Sequence, residues 1–424
     1  MLRDGVRVLE QYWEPYRPGD RTLVYSASKT FTATAVGIAV GEGRFCLDDR
    51  LADLLADDFP SEPAPGAADW TVHHLLSMST GHTEDTLPAL IENLPAEQWV
   101  SGFLATAPRG AVGELHTYNN GATFLLGELV RRYSGQDLLD YLRPRLFEPL
   151  GIDATWDTDP LGRCLGWSGL HIDVTGLAAM GELLRSDGVW QGRRLLPEGW
   201  VARATARQVA TGDEDSAEWT YGYGYQVWMN REGFRLDGAH GQFAFVLPQR
   251  GLVVAIQSAQ SSTQELIDVV WQHLDDVGPA AEGTQLEVPA DSGRGSHWGA
   301  GGPVPVDPSM MRADEELSAG PDLADITVRR DGTRFAVSMV AEGWLVQLDA
   351  GAGAWRRQPL PLGDVVVPVA LAAGADEAGD LLLKLVFTDT PHTLRVRIGA
   401  DGASGVFWHV PPLQGPTLAT MRAH

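Results

Sequence analysis

The sequence predicts an α+β protein, and three observations predict it. In the first part of its 424 residues, apolar positions recur at helical spacing in one segment after another. From about residue 221 the pattern changes to short apolar runs divided by Gly- and Pro-bearing turns, as in antiparallel hairpins. Helices and strands are therefore segregated along the chain, which excludes a repeated βαβ plan. At roughly 150 residues per domain, the length allows two or three domains.

Taken in order, Val6 to Trp13 reads as a strand. The segment Ser26 to Gly43 reads as a helix whose apolar stripe is Phe31, Ala35, Ile38 and Ala39, with Gly41 and Gly43 suited to its end. Further helices are expected from Trp70, over Ala122–Tyr133, over Asp137–Phe147 and over Thr175–Ser186. Strands follow at Tyr221–Met229, Phe234–Leu236, Gln242–Leu247 and Leu252–Ser258. Ser262-Thr263-Gln264-Glu265 is a capping box that opens a helix to about Asp275. Residues 1–276 thus form one domain, a helical mass set before a terminal antiparallel sheet. Residues 277–325 are rich in Gly, Pro and acids and read as a linker. Residues 326–424 read as a small β-rich domain, with Asp331-Gly332 as its first hairpin turn.

Composition narrows the function. Acids exceed bases by 56 − 32 = 24. That excess argues against nucleic acid and anionic membranes as partners. Two cysteines, Cys46 and Cys164, do not make a disulfide scaffold. No run of about 18 apolar residues is present. The first 20 residues lack the apolar core of a signal peptide, so a cytoplasmic protein is expected. No HExxH pattern accompanies the eleven histidines and no GxSxG occurs, which disfavours a metallohydrolase and an α/β-hydrolase. Neither a cofactor nor a metal is expected.

Lysine is rare. Of 32 basic residues only Lys29 and Lys384 are lysines, leaving 32 − 2 = 30 arginines. Lysine can lose its proton and act as a base, and arginine cannot. Lys29 stands three residues after Ser26 in an SxxK motif. On a helix this spacing puts both side chains on one face, and the helix N-terminus favours the negative charge that nucleophilic attack creates. Tyr118-Asn119-Asn120 precedes another helix. A Tyr beside a cation can move protons, and an Asn can donate to a carbonyl. Ala239-His240-Gly241-Gln242 opens the strand to Leu247. Each motif alone is weak; their order along one chain is not.

SxxK, YxN and a late small-residue triplet ending in Gly resemble the serine β-lactamase and penicillin-binding-protein superfamily. The flanks Trp70–His82, Tyr118–Val130, Leu138–Ile152 and Gly241–Ile256 agree with its class C-like branch of esterases and D-aminopeptidases. The resemblance covers about residues 1–276. It implies a β-lactamase-like fold and a serine hydrolase that acts through an acyl-enzyme on ester or amide bonds, of esterase or D-amino-acid peptidase type. It implies Ser26 as nucleophile, Lys29 as its activating partner and Tyr118 as base or proton shuttle. Asn120, His240 and Gly241 would bind substrate, the Ala239–Gly241 triplet lying on an edge strand. The backbone N–H groups of Ser26 and Gln242 would form the oxyanion hole. The partner would be a small ester, amide or peptide. Ala239 stands where the family often has Lys or His, which disfavours substrates with a carboxylate there. Only 25 residues precede Ser26, fewer than usual in the family. These two departures leave one alternative, a β-lactam- or peptide-binding protein on a retired hydrolase fold.

Overall fold

Apolar runs after Phe234, extended by short strands at the N-terminus and at Trp228, fold into a six-stranded sheet. Its strands are β1 (Leu2–Arg3), β2 (Val6–Arg7), β3 (Trp228–Met229), β4 (Phe234–Gly238), β5 (Gln242–Leu247) and β6 (Leu252–Ile256). Their order is β2–β1–β6–β5–β4–β3, with every neighbour antiparallel. All six residues of β5 are buried, so both faces of the sheet are covered. Ala244 and Val246 join the core shared with the helices before the sheet. Phe243, Phe245 and Leu247 pack on Ile267, Trp271 and Leu274 of the helix Thr263–Leu274. Each large apolar side chain removed from water contributes about 1.5–3 kcal/mol.

This computed structural model describes residues 1–212, 217–274, 318–321, 323–363, 365–375, 379–399, 404–413 and 418. The chain divides into two units. One comprises Met1–Val8, Val24–Gln257 and Thr263–Gly283; the other comprises Leu9–Leu23, Ser258–Ser262 and Thr284–His424. The stretch read as a linker lies outside the described residues up to 317.

Helix α1 (Ser28–Gly41) runs through the first unit with Ser28 to Ala39 all buried. It is covered on every side and not along a single stripe, which is why small residues alternate with apolar ones. Its threonines need partners there. The hydroxyl of Thr30 donates to the carbonyl of Gln226 at 2.8 Å, Thr32 to that of Gly166 at 2.8 Å, and Thr34 to that of Thr30 at 2.8 Å. Gly37 is required by packing: a Cβ there would sit 2.3 Å from Trp200 Cε2. Helix α2 (Asn120–Ser134) packs beside it, N-capped by the Asn119 side chain and closed by left-handed Gly135.

Two predicted strands are shorter than the pattern suggested. Of Val6–Trp13 only Val6–Arg7 pairs, and Leu9 onward belongs to the second unit. Of Tyr221–Met229 only Trp228–Met229 is a strand, with Tyr223 making isolated bridges to Val209 and Trp228, because Gly222 (φ +104°) and Gln226 (φ +56°) break the extended course.

The second unit carries β7 (Ser318–Ala319), β8 (Leu323–Asp331), β9 (Arg334–Ala341), β10 (Trp344–Ala352), β11 (Arg356–Leu362), β12 (Val365–Ala375), β13 (Leu381–Phe387), β14 (Thr393–Ile398) and β15 (Ser404–Val410). They run in the order β7–β15–β14–β13–β12–β10–β9–β8, with β11 on β12. Within this unit Arg357 clamps Asp20 by two bonds of 2.8 Å.

Candidate active site

Ser26 sits in a 3₁₀ turn, Tyr25–Ala27, that leads directly into α1. Tyr25 takes φ +48°, a left-handed conformation that costs a non-glycine residue about 1–3 kcal/mol. The hydroxyl of Ser28 donates to the Tyr25 carbonyl at 2.5 Å and holds the turn. One helical turn on, Lys29 is 1% exposed. Its Nζ lies 3.0 Å from Ser26 Oγ and donates to the carbonyl of Trp167 at 2.7 Å. The spacing of three residues thus brings the two groups together.

Tyr118 meets them from the loop before α2. Its hydroxyl is hydrogen-bonded with Ser26, and Lys29 Nζ stands 4.8 Å from its ring centroid. Trp228 stacks on that ring at 5.8 Å with planes 14° apart. Asn120 is clamped by Asp85: its backbone N–H donates at 2.9 Å and its side-chain amide at 2.5 Å. Asn119 caps the helix, accepting from Gly121 N–H at 2.9 Å.

The Ala239–His240–Gly241 triplet differs from its expected place. It is no edge strand but the turn that joins β4 to β5, and β5 is an inner strand. His240 (φ +61°) and Gly241 (φ +83°) are both left-handed, a geometry that reverses the chain and cannot continue a strand. The end of β4 still abuts the nucleophile's turn. A Cβ on Gly238 would sit 2.2 Å from the Val24 carbonyl and 3.2 Å from the Ala27 nitrogen. The His240 ring meets Tyr25 edge-on at 5.4 Å. Gln242 is fully buried at the start of β5.

Three features escaped the sequence. The Trp167 carbonyl is a backbone acceptor and has no residue signature. Asp85 carries no motif. Asp237 on β4 is held by the fully buried Arg235, whose Nε donates at 2.8 Å, and by Trp219. Arg235 is itself fixed by Asn230 Oδ1 at 2.6 Å and the Glu218 carbonyl at 3.0 Å.

The electrostatics follow from burial. Desolvation lowers Lys29 to a pKa of about 7, while Asp85 and Asp237 oppose the fall. Desolvation raises Tyr118 above its ordinary value, with the Ser26 hydrogen bond opposing. Burial also raises Asp237, against the pull of Arg235. Near neutrality the site therefore holds an amine able to accept a proton beside a phenol that keeps its own. Among the described residues no group of three or more His, Cys, Asp or Glu is placed to hold a metal ion.

The profile of the Beta-lactamase family matches residues 1–277. The chain belongs to the Beta-lactamase family. It is an enzyme, a serine hydrolase of that family. It is 26% identical over 277 residues to a 6-aminohexanoate-dimer hydrolase of Paenarthrobacter ureafaciens, covering 60% of this chain and 70% of that one. Penicillin-binding protein 4 of Amycolatopsis lactamdurans is 28% identical over 269 residues, covering 54% of this chain and 70% of its own. In fold, the octameric penicillin-binding protein homologue from Pyrococcus abyssi covers 93% of this chain and 89% of its own, with a TM-score of 0.50 at 17% identity. The β-lactamase-like fold of the family is thus joined here to a separate all-β unit. Among the described residues no helix is long and apolar enough to cross a membrane.

Proposed function

We propose that the protein cleaves ester or amide bonds of small substrates through an acyl-enzyme on Ser26, as an esterase or D-amino-acid peptidase. The observation that carries this reading is the buried amine of Lys29, 3.0 Å from Ser26 Oγ and anchored by the Trp167 carbonyl. In the first step neutral Lys29 takes the hydroxyl proton as Ser26 Oγ bonds to the substrate carbonyl carbon. The oxyanion that forms is held by the N–H groups of Ser26 and Gln242. Tyr118 gives its phenol proton to the departing alcohol or amine as the carbonyl–leaving-group bond breaks, and Lys29 returns a proton to Tyr118. Water then attacks the acyl-enzyme by the same route in reverse. Asn120, fixed by Asp85, together with His240 and Gly241, would line the substrate. The relative from Paenarthrobacter, named for hydrolysis of an amide dimer, supports an amide as one substrate class. Ala239 removes a cation from the triplet and supports neutral substrates.

The test is intact-mass labelling with a fluorophosphonate probe on wild type, Ser26→Ala and Lys29→Ala. A single adduct on wild type, absent from both variants, is the expected result. No adduct on wild type would overturn the reading in favour of a binding protein on the same fold.

A further inference from the structure

Beside Tyr118 lies a knot of rings that the acylation chemistry does not use. His116 and Tyr223 are 4.9 Å apart, His116 and Trp228 5.5 Å, and Tyr223 and Trp228 5.0 Å. Tyr223 meets Tyr118 edge-on at 6.3 Å. Met78 and Val209 make the surroundings apolar.

Two polar atoms in this knot are unsatisfied by the described protein. His116 Nε2 is buried and hydrogen-bonds to no described residue. Tyr223 is 1% exposed, and its hydroxyl likewise bonds to no described residue. A buried polar group without a partner costs free energy, so such atoms are rare unless something else pairs with them. The Tyr223 ring lies next to that of Tyr118 and shares Trp228 with it, so it borders the catalytic side. Burial holds His116 down at about 4 and holds Tyr223 above its ordinary range, so both are neutral at pH 7. A charged substrate group here would lose its hydration to neutral partners, whereas a hydroxyl or amide would exchange one hydrogen bond for another.

We propose that His116 and Tyr223 form a specificity subsite that pairs with one neutral hydroxyl or amide group on an otherwise apolar acyl part of the substrate. The proposal rests on acylation of Ser26, since the acyl part is what remains in the site. His116 lies on the loop that runs through Tyr118 to Asn120, which the proposed function places beside the substrate. The subsite works by exclusion as much as by attraction. A substrate that lacks the group leaves the buried imidazole nitrogen of His116 and the Tyr223 hydroxyl unpaired in the transition state, and discrimination of this kind is larger than that given by a methylene.

The probes are the 4-nitrophenyl esters of phenylacetic, 3-hydroxyphenylacetic and 4-hydroxyphenylacetic acids, which share one leaving group. The quantity read is the ratio of kcat/KM for each hydroxy ester to that of the plain ester, within each protein. A general loss of activity in a variant cancels from this ratio. Wild type is expected to favour at least one hydroxy ester by about tenfold or more. Tyr223→Phe and His116→Phe, made separately, are each expected to bring that ratio close to one. The proposal is overturned by a wild-type ratio near one for both hydroxy esters, or by a preference that survives in both variants. Ser26→Ala separates the two readings: ester turnover that persists in it removes the acylation scheme itself, whatever the ratios are.

Discussion

The site around Ser26 and the sheet of the second unit bury very different things. Around Ser26 the interior holds Lys29, Arg235, Gln226 and a row of threonines. The interior of the second unit's sheet is made of Val337, Val346, Leu348, Val369, Leu385, Phe387 and Trp408. Left-handed positions beside the nucleophile include Tyr25, Gln226 and His240 together with Gly222 and Gly241; in the second unit Asp325 and Glu342 are left-handed besides glycines such as Gly332, Gly353 and Gly363. A region built only to fold lets pattern, turn residues and packing agree. A region built to react holds a strained turn and a buried amine in place with neighbours that over-determine them.

The comparison can be broken most directly at Ser26. Ser26→Ala is expected to lower kcat by at least about 10³-fold while leaving the melting temperature nearly unchanged. A large loss of stability would mean that Ser26 is structural. Tyr118→Phe keeps the stacking on Trp228 and removes the proton donor, so kcat should fall by about 10²–10⁴ in steady-state ester assays. The second unit should respond in the opposite way. Trp408→Ala is expected to cost about 3–5 kcal/mol in denaturant unfolding, through the cavity it leaves. In a pH titration of kcat/KM, activity should rise through about pH 7 as Lys29 loses its proton; a limb near 10 would show an unperturbed amine. The smallest effect is on stability. Lys29 binds its proton less readily folded than unfolded, so its burial penalty is complete below about pH 7 and fades as pH rises toward its ordinary value near 10.5. Lys29→Met should therefore raise the melting temperature, on the order of a few degrees, at pH 6 and very little at pH 10.

Ser26, Lys29 and Tyr118 were legible in the sequence because their relations are local: one helical turn in one case, a loop running into a helix in the other. The strand Gln242–Leu247 was legible for the same reason, from its own apolar run. Asp85, Asp237 and the Trp167 carbonyl were not, since each acts on a partner far along the chain and no periodicity encodes such a meeting. The Ala239–Gly241 triplet was placed on an edge strand by the resemblance alone, and the left-handed φ values that make it a turn leave no mark in composition. The interrupted stretch before Trp228 failed likewise, on Gly222 and Gln226. In the second unit, β11 and β12 were missed where Pro359, Pro361 and Pro368 conceal strands that do pair.

Asp20, just ahead of the nucleophile, takes its ion-pair partner 337 positions later. During synthesis, α1 can find Trp200 and Gln226 well before Asp20 can find Arg357. The peptide immediately upstream of Ser26 is thus completed only after α1 has met its own neighbours. A protein cut after residue 277, the span that the family profile covers, would strand Leu9–Leu23 with no unit to join. The all-β unit is therefore not a tail that can be trimmed, because the chain enters it once before reaching its own nucleophile.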